Sequence, residues 1–277
     1  MTEKELQMKA CVIQLQSQIN KEKNLSDALD IAKDAIEKEQ PDLIAFPEMF
    51  VFNGGTIEQK KRSAEYIPNG KTSQALSQFA ASNNVSIHGG SIYEHANDKV
   101  SNTSIIFNKH GEMIAKYQKI HLFDVTTPNG TSYRESDNVV PGKKIVSYDL
   151  EDFKIGCTIC YDVRFPELFL ELTKLNVDAI VVPASFTYQT GEAHWETLLK
   201  CRAIETQSYI LAPAQHGEFP NEDGGYNKTW GNSMIIDPWG KIISRVENGS
   251  GWATAIIDKD HIAEIRSNIP LSSHRVL

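Results

Sequence analysis

The sequence predicts an α/β fold built in layers, with mixed rather than purely parallel sheets. Three observations carry this. Strand-like and helix-like segments alternate along the chain, the mark of layered α/β architecture. Two hairpin signals interrupt the alternation, so some neighbouring strands run antiparallel. Runs such as DLIAF at 42–46 and AIVVP at 179–183 are apolar on both faces. Helices are expected to cover one side of such strands and a second apolar layer the other.

The elements follow in order. Ala10 to Gln16 predicts a strand, and Asn24 to Glu39 a helix, with Leu25, Ala28, Leu29, Ala32, Ala35 and Ile36 at helical spacing. Pro41 stops that helix and Asp42 to Phe46 is a short buried strand. Thr72 to Ser82 predicts a helix and Val85 to Ile92 a strand. Thr103 to Asn108 and Met113 to Tyr117 flank Lys109-His110-Gly111 as a hairpin. Lys154 to Cys160 predicts a strand, Pro166 to Lys174 a helix, Ala179 to Val182 a strand, Ala193 to Gln207 a helix and Ser208 to Ala212 a strand. Met234 to Asp237 and Lys241 to Arg245 form a second hairpin around Pro238-Trp239-Gly240. Trp252 to Ile257 and Lys259 to Ser267 close the chain as strand and helix.

With 277 residues, length alone allows about two domains. No repeat, low-complexity run or Pro/Gly/Ser linker divides the chain, so a single domain over 1–277 is expected, with a core over 9–258 and a C-terminal helix and arm over 259–277. Lys and Arg total 28 against 36 Asp and Glu, a formal charge of −8. This acidity argues against nucleic acid and anionic membranes as partners. No run approaches the 18 apolar residues of a membrane span, and the polar start Met1 to Glu5 shows no export signal. A cytoplasmic location follows, where the four cysteines stay reduced.

Ligands in open α/β sheets sit beyond the carboxyl ends of strands, and three strand ends carry reactive side chains. Glu48 follows Phe46-Pro47, where proline forces the chain to turn. A lone glutamate there is usually a solvated loop carboxylate, but apolar Met49 and Phe50 beside it can raise its pKa toward that of a general base or acid. Cys160 ends an apolar strand and precedes the helix at Pro166; helix N-terminal amides near such an elbow favour a thiolate. Taken alone, such a cysteine is more often an inert buried thiol. Lys119 closes the 113–117 strand in a basic turn, and a single such lysine is usually just solvated. Cys157 and Cys160 also form C-x-x-C. A zinc site lacks further ligands at suitable spacing, and for a redox dithiol Cys157 sits inside the strand, with the two thiols on opposite faces.

The order Glu, Lys, Cys, with FPEMF around Glu48, KYQKIHLFD around Lys119 and GCTICYDVRFPEL around Cys160, resembles the nitrilase superfamily of carbon–nitrogen hydrolases. AHWETLL at 193–199, RAIETQ at 202–207 and DPWGKII at 237–243 also match, and the resemblance runs from residue 9 to 275. It implies a four-layer αββα sandwich. It also implies that Cys160 attacks the substrate carbon, that Glu48 is general base and acid, and that Lys119, with the Tyr161 backbone N–H, stabilises the oxyanion. Glu135 in TSYRES matches a second, supporting glutamate. No metal or organic cofactor is required.

Within the superfamily, HLFDV, P-N-G at 128–130 and TGEAHWETLL resemble the branch of omega-amidases and deaminated glutathione amidases, which hydrolyse terminal amides of 2-oxo acids. N-carbamoyl hydrolysis and a non-catalytic binding protein on the same fold are the alternatives. Met49 and Asn232 depart from the branch pattern, as does Glu192. Tyr161, Arg164, Phe186, Thr190 and His194 are candidate substrate-binding residues. The plain alternatives are that Arg164 pairs with Glu167 at a helix start, that Thr190 is a turn or cap residue, and that His194 and Trp195 are structural. An anionic substrate would need local positive charge, with Arg164 and Lys119 as contributors. The 217–229 loop is expected to border the pocket, and Cys11 and Cys201 to be buried. The family usually dimerises, so a homodimer or higher homo-oligomer is implied, with the arm from Ile269 to Leu277 as a candidate interface.

Overall fold

The computed structural model describes residues 6–127 and 130–276. The polar start Met1 to Glu5, Pro128 and Asn129 of the P-N-G turn, and Leu277 of the arm lie outside the described residues. The chain starts with β1 (Gln7–Leu15), and its side chains sort by strand alternation. Ala10 and Val12 point into one core, while Cys11, Ile13 and Leu15 point into another. Helix α1 (Lys21–Glu39) packs Ala28, Ala32 and Ala35 onto the second face. The Asn20 side chain caps its start by accepting from Lys23 N, and Gln40 ends it in the left-handed conformation.

β2 (Leu43–Ala45) lies parallel to β1. After α2 (Ile57–Ser63) and α3 (Lys71–Asn83), β3 (Ser86–His88) continues the parallel set. β4 (Ile92–Ala96), β5 (Lys99–Phe107) and β6 (Met113–Gln118) extend it antiparallel. A small ribbon follows, β7 (Asp124–Thr126) with β8 (Ser132–Arg134). The second sheet starts with β9 (Ser147–Leu150) and β10 (Phe153–Cys157). Helix α4 (Pro166–Lys174), β11 (Ala179–Val181), α5 (Tyr188–Thr206) and β12 (Tyr209–Ala212) follow. The hairpin β13 (Ala214–Pro220) and β14 (Tyr226–Trp230) returns to β1. β15 (Ser233–Ile236) and β16 (Ile242–Val246) complete the second sheet. β17 (Gly251–Asp258) pairs with β1, and α6 (Lys259–Asn268) and α7 (Leu271–His274) end the chain.

Among the described residues one sheet holds nine strands and the other six. Ala10, Val12, Leu43, Ala45 and Ile106 of the first share a core with Ile155, Val181 and Leu211 of the second and with Leu168, Phe169 and Trp195 of α4 and α5. The outer face of the first sheet carries α1 and α3. The layers are therefore helix, sheet, sheet, helix. The second apolar cover expected over DLIAF and AIVVP is the other sheet.

The structure departs from the sequence reading in several places. The strand expected over 85–92 is broken at Gly89-Gly90-Ser91. Gly90 has φ +49, and a Cβ there would stand 2.0 Å from the Pro47 carbonyl, so the chain kinks to make room for the Glu48 turn. The strand expected to end at Cys160 ends at Cys157, and Cys160 opens a 3-10 turn with φ +47. Helix α5 starts at Tyr188, not Ala193. Gly191 disguised its first turn; a Cβ there would meet Trp230 at 2.3 Å. The expected 217–229 loop is the β13–β14 hairpin. Cys201 is exposed rather than buried, because it lies on the outward face of α5. No helix among the described residues is long and apolar enough to cross a membrane.

Candidate active site

Four chain segments converge on one cavity of about 420 Å³. Glu48 sits in the turn after β2. Met49 takes φ +55 there, its N–H donates to Ser91 Oγ at 3.1 Å, and Gln215 Nε2 donates to the Glu48 carbonyl at 3.1 Å. Lys119 follows β6. Its N–H donates to the Asn102 carbonyl at 2.9 Å, and its carbonyl accepts from Gly142 N at 2.8 Å. Glu135 follows β8 and opens a 3-10 turn over Glu135–Asp137. Cys160 is fixed by its own N–H, which donates to the Pro183 carbonyl at 2.8 Å.

The side chains form one buried cluster. Lys119 Nζ donates to Glu48 Oε1 at 3.0 Å and to Glu135 Oε2 at 3.0 Å and Oε1 at 3.2 Å. Asn102 Nδ2 donates to Glu48 Oε1 at 2.8 Å and reaches Glu135 Oε1 at 3.4 Å. Ser185 N donates to Glu48 Oε2 at 2.8 Å, and Phe123 N to Glu135 Oε2 at 2.6 Å. Cys160 and Glu48 line the same cavity, and the Glu48 carboxylate raises the pKa of the Cys160 thiol.

The electrostatics follow from this packing. Burial disfavours the Lys119 ammonium, but Glu135, Glu48 and Cys160 outweigh it and hold its pKa well above the ordinary lysine value. Burial pushes the Cys160 thiol well above its ordinary value, and the Glu48 carboxylate adds to this; Lys119 and the Ser185 N–H pull the other way. Burial at the elbow thus works against the thiolate that helix amides would favour. Glu48 is the carboxylate whose charge acts on the thiol.

Of the other candidates, Tyr161, Phe186 and Thr190 line the cavity. Thr190 lies in the first turn of α5, its hydroxyl 2.6 Å from that of Thr187. Arg164 and His194 are not among the described lining residues. They meet each other, with both terminal Arg164 nitrogens 3.3 Å from His194 Nδ1. The guanidinium lies 5.2 Å from the Phe186 ring centre and 5.9 Å from that of Tyr161. Arg164 therefore backs two lining aromatics and does not pair with Glu167 as the helix-start reading had it. Trp195 is fully buried and donates Nε1–H to the Asn232 carbonyl at 3.0 Å.

Sequence reasoning missed Asn102, Ser185 and the rest of the rim, while the 217–229 segment borders the cavity as expected. Asn102 left a faint signal, a polar Ser-Asn-Thr-Ser run inside a strand that is otherwise core. The rim comes from α2, the β7–β8 ribbon and the tip of the β13–β14 hairpin, which bring Lys60, Lys61, Arg134 and Glu222 to the mouth. The cavity is not basic overall: Lys60, Lys61, Lys119 and Arg134 face Glu48, Glu135, Asp137, Glu222 and Asp223. Positive charge is instead grouped, Lys119 at the floor and the others at the mouth. Among the described residues no group of three or more His, Cys, Asp or Glu is placed to hold a metal ion.

Known proteins agree with this architecture. The carbon-nitrogen hydrolase family profile matches residues 9–267. Deaminated glutathione amidase of Dictyostelium discoideum is 38% identical over 273 residues, covering 95% of this chain and 92% of that protein. Omega-amidase NIT2 of Xenopus tropicalis is 35% identical, covering 92% of this chain and 90% of that protein. The crystal structure of Saccharomyces cerevisiae Nit3, a member of branch 10 of the nitrilase superfamily, superposes with a TM-score of 0.86 at 31% identity, covering 98% of this chain and 97% of that one. The chain therefore belongs to the carbon-nitrogen hydrolase family and is a hydrolase of carbon–nitrogen bonds other than peptide bonds.

Proposed function

We propose that the chain is an amidase that cleaves the terminal carboxamide of a small 2-oxo acid through a thioester on Cys160. The observation that carries this is the burial of Cys160 in one cavity with Glu48, which binds the Lys119 ammonium at 3.0 Å. Glu48 accepts the thiol proton as the sulfur attacks the amide carbon. Lys119 and the Tyr161 N–H take the negative charge that builds on the carbonyl oxygen. Glu48 returns the proton to the departing nitrogen, and ammonia leaves. Water, deprotonated by Glu48, then attacks the thioester and frees the acid and the thiol. Glu135 holds Lys119 in place.

The names of the relatives support the 2-oxo acid amide, and so do the cations at the mouth, which can meet a carboxylate remote from the reacting amide. Tyr161, Phe186 and Thr190 would contact the substrate body. An ammonia-release assay over 2-oxoglutaramate, 2-oxosuccinamate, deaminated glutathione, an N-carbamoyl amino acid and a simple nitrile tests this. Turnover of one of the first three is expected, and none with Cys160→Ala. Activity confined to the last two substrates would overturn the substrate class; ammonia release unchanged in Cys160→Ala would overturn the nucleophile.

The chain would work as a single domain and a homodimer in the cytoplasm. Four free thiols suit a reducing compartment. The arm after Ile269, exposed over most of its described length, would contribute to the dimer. Solution mass of the full chain and of a chain cut before Ile269 tests this; two monomers would contradict it.

A further inference from the structure

One buried carboxylate outside the cavity ties the two halves of the site together. Lys119 comes from the first sheet and Cys160 from the second. Their layers meet largely through apolar side chains, whose contact is non-directional. Directional contacts such as Ser185 N to Glu48 Oε2 and Ser233 N to Gln14 Oε1, both 2.8 Å, join the sheets elsewhere, but neither touches the segment that carries Lys119. Hydrogen bonds are directional and can set how far one layer slides along the other.

Asp162, two residues after Cys160 and fully buried, supplies them. Its Oδ2 accepts from the Tyr117 hydroxyl at 2.7 Å and from Ile159 N at 2.9 Å. Its Oδ1 accepts from His121 N at 3.0 Å and from His121 Nδ1–H at 2.7 Å. Tyr117 and His121 bracket Lys119, two residues to either side. Ile159 precedes Cys160, and Asp162 N donates back to the Ile159 carbonyl at 3.0 Å, closing the turn on the cysteine. The His121 ring also stacks on Phe165 at 3.7 Å between centroids, with planes 6° apart. Burial and the Asp162 carboxylate hold the Tyr117 hydroxyl well above the ordinary tyrosine value, so it remains a donor.

We infer that Asp162 is a positioning residue that, through Tyr117 and His121, fixes the Lys119 ammonium over Cys160 where the oxyanion forms. The inference rests on the roles assigned above to Lys119 and Cys160. Tyr117, His121 and Asp162 are not among the described residues lining the cavity, so they act on the chemical step and not on substrate binding.

The test compares Tyr117→Phe, Asp162→Asn and their double variant. It measures kcat and KM on the best amide of the panel, and the rate at which iodoacetamide alkylates Cys160, read from the mass of the Cys160 peptide. Alkylation needs the thiol and its base but builds no oxyanion. Tyr117→Phe removes one hydroxyl and keeps the ring. Its kcat is expected to fall about tenfold or more, with KM and Cys160 alkylation within about twofold of wild type. Asp162→Asn should fall further, because its amide N–H₂ confronts backbone donors, and the double variant no further than Asp162→Asn alone. Should Asp162→Asn fail to fold, Tyr117→Phe decides the matter. An unchanged kcat in Tyr117→Phe would overturn the inference. So would kcat and alkylation falling together, since the elbow itself would then have come apart. Turnover surviving in a Cys160→Ala control would strike the assigned chemistry instead, and so is distinguishable.

Discussion

At the floor of the cavity Glu48, Lys119 and Cys160 are 4%, 2% and 7% exposed, and Asn102, Ser185 and Glu135 complete their hydrogen bonds. At the mouth Lys60 pairs with Glu222 at 2.7 Å, but the two side chains are 26% and 46% exposed. Both regions are made of opposite charges in contact, and the difference lies in water. A buried pair that loses one partner leaves an uncompensated charge in a poor solvent. An exposed pair that breaks is resolvated at little cost. The floor must therefore keep its geometry, while the mouth can rearrange around different substrates.

Substitution at the floor should produce the largest effect. Lys119→Met removes the cation between Glu48 and Glu135. Its kcat should fall about 10²- to 10³-fold, as for loss of an oxyanion donor. Urea denaturation should show a loss of about 3–5 kcal/mol, the range for a broken buried pair. Wild-type stability in that variant would mean the carboxylates are less confined than their burial implies.

The next effect comes from pH. Burial holds Cys11, Cys157 and Cys160 above the ordinary thiol value of 9.0. The unfolded chain therefore loses these protons first, and the folded state loses stability as pH rises past 9. Lys119, held above its ordinary 10.5, acts in the same direction at still higher pH. Above its ordinary value the expected slope approaches about 1.4 kcal/mol per pH unit for each group, seen as a denaturation midpoint that falls with rising pH. A flat profile above the ordinary thiol value would mean the thiols are solvated.

The smallest effect belongs to the mouth. Lys60→Ala should cost under about 1 kcal/mol in stability. It should raise KM less than about fivefold, with kcat unchanged. A large fall in kcat would erase the distinction between floor and mouth.

The same division decides what was legible in the sequence. Glu48, Lys119 and Cys160 stand at strand ends, where a short apolar run stops at Pro47, a hairpin closes and a helix begins at Pro166. Local pattern places those positions. Asn102 and Ser185 act through side-chain and backbone groups brought near by sheet pairing, and nothing in their own neighbourhood announces it. Arg164 shows the converse, since its position beside the Cys160 motif suggested the pocket, yet the turn aims it behind Tyr161 and Phe186 toward His194. The 217–229 segment was placed at the pocket, but its hairpin form was hidden because its polar, glycine-rich tip reads as loop. Its first strand is recognised by pairing with β1 across some 200 residues of chain, and its second by pairing with the first.

The most direct test is to stop turnover of the best amide with acid and weigh the intact protein. A covalent adduct equal to the substrate less one ammonia, located on the Cys160 peptide and absent in Cys160→Ala, is the expected result. Steady turnover with no adduct on Cys160, or an adduct on another residue, would contradict a thioester formed at this site.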